Sequence, residues 1–263
     1  MKLDALCPDI GGKPYLEFGF GEGWKSGEGP RAILSTLASG NMKLGAAGDG
    51  EPGADQARPR LLGSLGLEPS RVLSLHLVHS RRVVVLGEGE EETFPSLLAD
   101  GADGLVVEGG SAVPALTVAD CMPIWLFDSK RGSFGVLHSG WRGTGILGEA
   151  LRGMTARFGS EPGDVAAILG PSIGACCYAV PEERAEGFMA EFGESSVRLL
   201  RSEDGRDTFH IDLRSANIAL AERLGVGRLL DLRLCTSCSP SLGSFRRQGA
   251  SGFTRMLALC GYF

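Results

Sequence analysis

The sequence predicts an α+β protein with mixed β-sheets, organised as one domain over residues 1–263. Three features point there. Segments with strand pattern outnumber helical ones, several neighbouring strands are joined by turns short enough for hairpins, and the helical segments stand singly. A doubly wound parallel sheet would instead alternate strand and helix. No stretch shifts composition as a linker does, and 263 residues suffice for a substantial core.

In chain order, residues 15–20 read as a short strand, and 21–30 and 45–53 as glycine-rich loops. Pro59 can open a short helix through Leu65, with Arg58 just before it. Residues 72–79 (V-L-S-L-H-L-V-H) alternate as a strand, which 83–86 answers across the turn 80–82. His79 falls at that strand's end, and His76, three residues earlier, should point to the opposite face. Residues 87–98 are acidic and read as a solvated loop, and 105–107 as a strand.

Residues 115–138 carry the clearest hairpin pattern: 115–127 is apolar and rich in β-formers, 128–132 is turn chemistry, and 133–138 is apolar again. Pro123 sets a limit on this hairpin, because proline belongs at the edge, end or bulge of a strand. After it comes S-G-W-R-G-T-G, then Ile146, Leu147, Ala150, Leu151, Met154 and Phe158 at helical spacing. Farther on, 165–169 reads as a buried strand, 182–192 as a helix and 209–213 as a strand. Asp212 should cap a helix whose apolar face is Leu213, Ala216, Leu220 and Leu224, and 229–234 and 253–259 are the last strands.

Composition excludes several classes. The net charge of −6 and pI near 5.3 argue against a nucleic-acid or anionic-membrane surface, which needs clustered cations. No apolar run approaches the roughly 20 residues of a membrane span, and the first residues lack an apolar signal segment. The expectation is a soluble cytoplasmic protein, with no nucleic-acid or membrane partner. Seven scattered cysteines in such a chain suggest reduced thiols or metal ligands, not a disulfide framework. The 40 glycines show no period and imply many tight turns.

Candidate chemistry gathers on the hairpin. If its turn closes between Phe127 and Ser133, opposed residues have numbers summing to about 260, which sets Cys121 nearly opposite His138. A thiolate and an imidazole so placed suit one metal ion, or a Cys–His nucleophile pair. Adding His79 gives a nitrogen and sulfur triad that suits zinc with an open fourth position. Asp120 precedes the cysteine and can serve as an orienting or acid–base group, or as an ordinary turn aspartate. Ser139, Gly140 and Arg142 lie between a strand end and a helix N-terminus, where a phosphate or carboxylate can dock; a glycine-rich turn anchored by Trp141 is the plainer reading. Tandem Arg246 and Arg247 can reach an anionic substrate or form surface pairs. Cys235-x-x-Cys238 resembles half a zinc knuckle, but Cys176 and Cys177 are adjacent and offer no matching pair, so buried free thiols are expected there.

Five ordered motifs carry a resemblance: L-V-H at 77–79, T-V-A-D-C-M-P at 117–123, H-S-G-W-R-G-T at 138–144, G-P-S-I-G-A-C-C-Y-A-V at 170–180, and C-T-S-C at 235–238 with S-F-R-R at 244–247. In this order they resemble the laccase-domain or polyphenol-oxidase-like family of the YfiH type, from about Asn41 to Arg255. The resemblance implies two mixed β-sheets packed together with helices outside, an αββα arrangement related to Cys–His hydrolases of the cytotoxic necrotizing factor type. It implies metal ligands at His79, Cys121 and His138, and substrate contacts that include Asn41 and Arg58. The implied activity is zinc-dependent phosphorolysis of adenosine, inosine and methylthioadenosine, with deamination of adenosine, so the partners are a nucleoside and phosphate. The chain departs from the family pattern where Leu77 and Ser80 replace glutamine and glycine, at 17–22, and at Ala57, which stands for an asparagine.

Two other chemistries use the same residues. A His₂Cys set also suits type-1 copper, with Met122 as an axial ligand, in a polyphenol oxidase; a multicopper centre, however, needs more imidazoles than four histidines supply. A metal-free Cys121 nucleophile with His138 as base could cleave an amide in a cell-wall precursor.

Overall fold

The computed structural model describes residues 1–27, 29–43, 54–201 and 207–263. Its strands are β1 Lys2–Leu6, β2 Tyr15–Phe18, β3 Arg31–Ser35, β4 Val72–Ser74, β5 Val83–Leu86, β6 Gly104–Val107, β7 Val113–Val118, β8 Met122–Asp128, β9 Phe134–Ser139, β10 Val165–Leu169, β11 Ala179–Val180, β12 Val197–Arg201, β13 Asp207–Ile211, β14 Arg228–Leu232 and β15 Met256–Gly261. The helices are α1 Ala54–Ser64, α2 Phe94–Leu97, α3 Ile146–Phe158, α4 Glu182–Phe192, α5 Leu213–Arg223 and α6 Phe245–Gln248. Among the described residues no helix is long and apolar enough to cross a membrane.

Two mixed sheets dominate. One runs β1-β14-β10-β8-β9-β6-β5, the other β2-β3-β15-β7-β4, and a small antiparallel sheet β11-β13-β12 flanks them. Side-chain alternation along each strand decides what lies on either face. In β8, Ile124 and Leu126 point to one side, where they pack with Ile146, Leu147, Ala150 and Met154 of α3 and with Leu213, Ala216 and Leu220 of α5. Trp125 points to the other, into a core shared with Leu105 and Phe134 of its own sheet and Leu116 and Ala258 of the second sheet. The second sheet turns Ile33, Val113, Ala115, Leu257 and Leu259 outward against Leu61 and Leu62 of α1. The layers are therefore helix, sheet, sheet, helix. Trp125 also ties the sheets directly, donating Nε1–H to the carbonyl of Leu259 at 2.8 Å while fully buried.

The departures from the sequence reading share one cause. The apolar run 115–127 is not one strand: β7 lies in the five-stranded sheet and β8 in the seven-stranded one, and the chain changes sheets through 119–121, where Asp120 takes φ +84°. Likewise β4 and β5 do not form a hairpin. β4 pairs parallel with β7 and β5 pairs parallel with β6, so the chain again changes sheets between them, and His79 takes φ +58° on the way. A hydrophobic run records that both segments are buried, but not in which sheet.

Smaller differences follow from local context. Residues 87–98 hold a 3₁₀ turn and α2, not an open loop, and α1 starts before Pro59 instead of at it. The C-terminal strand begins three residues later than expected, at Met256, and β13 ends at Ile211. The sequence reading has no strand at β1, β3, β11 or β12; β11 is two residues long, and β1 and β12 are mostly exposed and lack the alternation that marks a half-buried strand. The expected loop 45–53 lies outside the described residues. Pro123 is the second residue of β8, near the strand end where a proline is tolerated. Asp212 does cap α5, accepting from Ser215 N at 3.0 Å.

Trp125→Ala should destabilise the protein by about 3–5 kcal/mol in denaturant unfolding, since it empties a large buried site between the sheets. A loss below about 1 kcal/mol would mean that the sheets do not depend on this contact.

Candidate metal centre

The β8–β9 hairpin pairs Met122 with Ser139 and Pro123 with His138, so opposed residues sum to 261, one more than the turn implied. This puts Cys121 one residue ahead of β8, across from Gly140 and two residues along from the position opposite His138, on the same face. The approach is close: a Cβ on Gly140 would stand 2.6 Å from Cys121 Sγ, and only glycine fits. The third group arrives from the β4–β5 crossover. Ligand atoms of His79, Cys121 and His138 all lie within 4.8 Å of one another, and the two imidazole rings meet edge to face at 5.0 Å. His138 is buried whereas His79 is exposed, so the group is covered from the protein side and open on the other.

One buried carboxylate holds this geometry. Asp103, fully buried just before β6, accepts from His138 Nδ1 at 2.8 Å, from His79 N at 3.0 Å, and from Ser80 N and Oγ at 2.7 and 2.8 Å. It thereby holds the His138 proton on Nδ1, which leaves Nε2 free to serve as a candidate metal ligand, and it pins the left-handed backbone of His79. Burial works to raise the Asp103 pKa, but the bonds from His138 and Ser80 outweigh it and hold the carboxyl below its ordinary value. The sequence reading missed Asp103, whose only local signal is an aspartate before a short strand.

The thiol and imidazole perturb each other. Burial pushes the Cys121 thiol up, but the charges and hydrogen bonds of His138 and His79 prevail and bring it down to about 6. Burial pulls His138 down, and Cys121 and Asp103 together raise it to about 10. Each group thus favours the charged form of the other, thiolate beside imidazolium. A deprotonated sulfur beside two imidazoles is the donor set that a zinc or copper ion takes.

The centre forms the floor of a cavity of about 1030 Å³. Trp141, Tyr178, Phe245 and Phe253 give it aromatic walls, and Arg142, Arg184, Arg246 and Arg255 bring guanidinium groups to it. Arg142 and Arg184 both lie over the Trp141 ring, at 5.1 and 4.1 Å from its centroid. Burial raises the Tyr178 phenol to about 12, so it stays a hydroxyl donor.

The other residues singled out from sequence divide into cavity wall and support. Asp120 lines the cavity, yet its carboxylate is occupied by Thr236 Oγ1 at 2.6 Å and Arg246 N at 2.7 Å. Gly140 and Arg142 line it too, whereas Ser139 is fully buried and bonds Asn217. The helix N-terminus behind them is closed from within: Thr144 N and Oγ1 both return to the Gly140 carbonyl at 2.8 Å, and Ile146 N to that of Gly143. The charged contact this loop offers an anion is therefore Arg142. Asn41 accepts from Arg255 N and Lys43 N, supporting two cavity residues. Arg58 bonds Ser74 Oγ, and burial lowers its pKa. Arg246 reaches the carbonyls of Cys177 and Ala179, while Arg247 is spent on those of Thr236, Ser237, Ser239 and Leu242. His76 lines the cavity outside the ligand group, and His210 bonds Ala175 O and Thr208 Oγ1. Cys176, Cys177, Cys235 and Cys238 are not the separate buried thiols expected: all are exposed or half-exposed, and their sulfurs cluster within 4.8 Å. Adjacency in sequence did not prevent Cys176 and Cys177 from converging, because they sit in a turn whose N–H groups fold back on Gly174 O.

Residues 33–262 match the family described as multi-copper polyphenol oxidoreductase laccase. The chain is 31% identical over 250 residues to the purine nucleoside phosphorylase LACC1 of Mus musculus, covering 90% of this chain and 55% of that protein, so it spans about half the length of that relative. It is 34% identical over 205 residues to adenosine deaminase RL5 of an unknown prokaryotic organism, covering 73% and 76% of the two. Among solved structures, YlmD from Geobacillus stearothermophilus superposes with a TM-score of 0.75 at 28% identity, covering 89% of this chain and 92% of that one. The α+β architecture with mixed sheets matches this neighbour.

Asp103→Asn should weaken metal binding by roughly 10–100-fold in a competitive chelator titration while circular dichroism stays native, because the orienting carboxylate is lost and the ligands are not. In metal-stripped protein, alkylation of Cys121 by iodoacetamide, followed by peptide mass spectrometry, should be half-maximal near pH 6, against about 8.5 for an ordinary thiol.

Proposed function

Because the chain belongs to the multi-copper polyphenol oxidoreductase laccase family, we propose that it is a zinc-dependent enzyme of purine nucleosides, carrying out phosphorolysis of adenosine, inosine and methylthioadenosine and deamination of adenosine. The observation that carries this reading is the two-nitrogen, one-sulfur centre on the floor of a cavity with aromatic walls and arginines. The names of the two similar proteins, a purine nucleoside phosphorylase and an adenosine deaminase, support the substrate class.

Bound to His79, Cys121 and His138, zinc would supply Lewis acidity and an open coordination position. The chain's own residues do the rest. Trp141 and Tyr178 offer flat faces against which a purine can stack. The Tyr178 hydroxyl, kept protonated by burial, donates a hydrogen bond to a ring nitrogen or ribose oxygen. Arg142, held over Trp141, offers a planar fork that matches two oxygens of phosphate, with Arg184 beside it. Asp120 positions the wall: it fixes the backbone at Arg246 and so the approach to the floor. A multicopper centre is disfavoured, because the ligand group contains two imidazoles and His210 is committed to Ala175 and Thr208. A multicopper cluster needs more.

A second reading rests on a specific contact. Asp103, His138 and Cys121 stand in the order of an orienter, a base and a nucleophile, and Cys121 is already a thiolate near neutrality. Free of metal, that arrangement suits hydrolysis of an amide, such as one in a cell-wall precursor. It requires Cys121 to be alkylatable in the protein as purified, whereas the zinc reading requires it to be protected.

Zinc-loaded protein incubated with adenosine and phosphate should release adenine with ribose-1-phosphate, and inosine, as read by liquid chromatography. Cys121→Ala should lower both by at least about 100-fold, the effect of removing a group on which the chemistry depends. Absence of all three products from the wild-type protein would sink the nucleoside reading.

A further inference from the structure

We propose that Cys176, Cys177, Cys235 and Cys238 form a second, closed metal site, a tetrathiolate for zinc, that clips two loops together and thereby sets one wall of the cavity. The four sulfurs lie within 4.8 Å of one another. Cys238 Sγ stands 3.6 Å from Cys176 Sγ and 3.4 Å from Cys177 Sγ. In a regular tetrahedron with Zn–S bonds of about 2.3 Å, sulfurs are about 3.8 Å apart. The spacing is thus that of ligands round one ion, and too long for a disulfide, whose sulfurs stand about 2.05 Å apart.

One of the four sulfurs, that of Cys235, is already placed as a thiolate acceptor. Gly174 N donates to Cys235 Sγ at 3.2 Å, a bond that favours the charged sulfur. Zn²⁺ displaces four thiol protons to solvent and leaves a net charge of −2 on the site. Two cations stand beside it: Arg246 bonds the carbonyl of Cys177, and Arg247 bonds those of Thr236, Ser237 and Ser239, inside and just after the Cys235–Cys238 turn. All four cysteines are exposed or half-exposed, so burial of an apolar thiol in the core does not account for their meeting.

Apart from the sulfurs, the Arg246 side chain on the Cys177 and Ala179 carbonyls joins the two loops. Backbone contact between them is a single parallel bridge, Ser172 to Cys235, with Ser172 N on Leu234 O and Thr236 N on Ser172 O. Both loops reach the first site. Ile173 N donates to Asp120 O, Thr236 Oγ1 to Asp120 Oδ1, and Ile173, Tyr178 and Arg246 line the cavity. A clip at the sulfurs fixes Tyr178 on one side and the approach to Arg246 on the other. It is structural zinc, with no open position, beside a centre that keeps one.

The site stands whether or not the nucleoside reading holds, and the experiment separates them. Metal content of the full chain, purified with zinc and without chelator, is measured by plasma mass spectrometry together with the absorption of cobalt-substituted protein. The wild type should hold two equivalents. Cys235→Ser with Cys238→Ser should lose one, along with the sulfur-to-cobalt charge-transfer bands of a tetrathiolate; Cys121→Ala should lose the other and keep those bands. Should the double serine variant fail to fold, alkylation of the native wild type decides instead, with Cys176, Cys177, Cys235 and Cys238 expected to be protected until zinc is stripped. Two equivalents that survive the double substitution, free alkylation of the four thiols, or a Cys177–Cys238 disulfide in protein prepared without reductant would each overturn the proposal.

Discussion

The Asp103 carboxylate is the interaction on which the centre depends. It sits at the start of β6, out of contact with water, and accepts from the backbone of Val78, His79 and Ser80, from the Ser80 hydroxyl and from the His138 ring. An unpaired buried charge is costly, and a charge with five donors is not. Those donors come from two segments far apart in sequence, the β4–β5 crossover and the end of β9. Satisfying one carboxylate therefore forces them together, and the two imidazoles arrive at Cys121 as a consequence. His138 N also donates to Asp103 O at 2.7 Å, so the backbone and the side chain of one residue fix the same histidine.

The second constraint is the passage between sheets. Twice the chain leaves the five-stranded sheet and enters the seven-stranded one, between β4 and β5 and between β7 and β8. Each passage contains a non-glycine residue at positive φ, His79 at +58° and Asp120 at +84°. Such conformations cost of order 1–3 kcal/mol and persist when the surroundings over-determine them. Here they do: Asp103 holds His79, and Thr236 with Arg246 hold Asp120. The regular strands supply the rigid frame, and the irregular passages deliver two of the candidate ligands, His79 and Cys121, to the cavity.

The two sulfur-bearing centres are joined by Asp120. Its backbone precedes Cys121, its carbonyl accepts from Ile173, and its carboxylate holds the segment that begins α6. A change in the 170–178 or 234–248 loops is thus transmitted to the cavity wall within a few bonds. This dense hydrogen bonding explains why both oxygens of a carboxylate so near a candidate reaction centre are committed to structure.

What the sequence determined alone was whatever is encoded over short range. The strand at 165–169 and the helix at 182–192 were legible to the residue, because a continuous buried run and a 3.6-residue period need no partner to be recognised. The turn at 128–132 sets the hairpin register to within one residue; His138 in fact pairs with Pro123, and Cys121 lies two residues along, near enough for the two side chains to meet. Tertiary structure decided the rest: that 115–127 divides between two sheets, that Asp103 lies under His138, that Arg247 is turned toward backbone carbonyls, and that Cys176 and Cys177 meet Cys235 and Cys238. The sheet division depends on which sheet a buried segment joins, the Asp103 and cysteine contacts run across 35 to 62 residues of chain, and those of Arg247 run across 5 to 11 in an irregular turn. Local hydrophobic patterns report only that a segment is buried, and leave its partner to be settled when the two sheets pack.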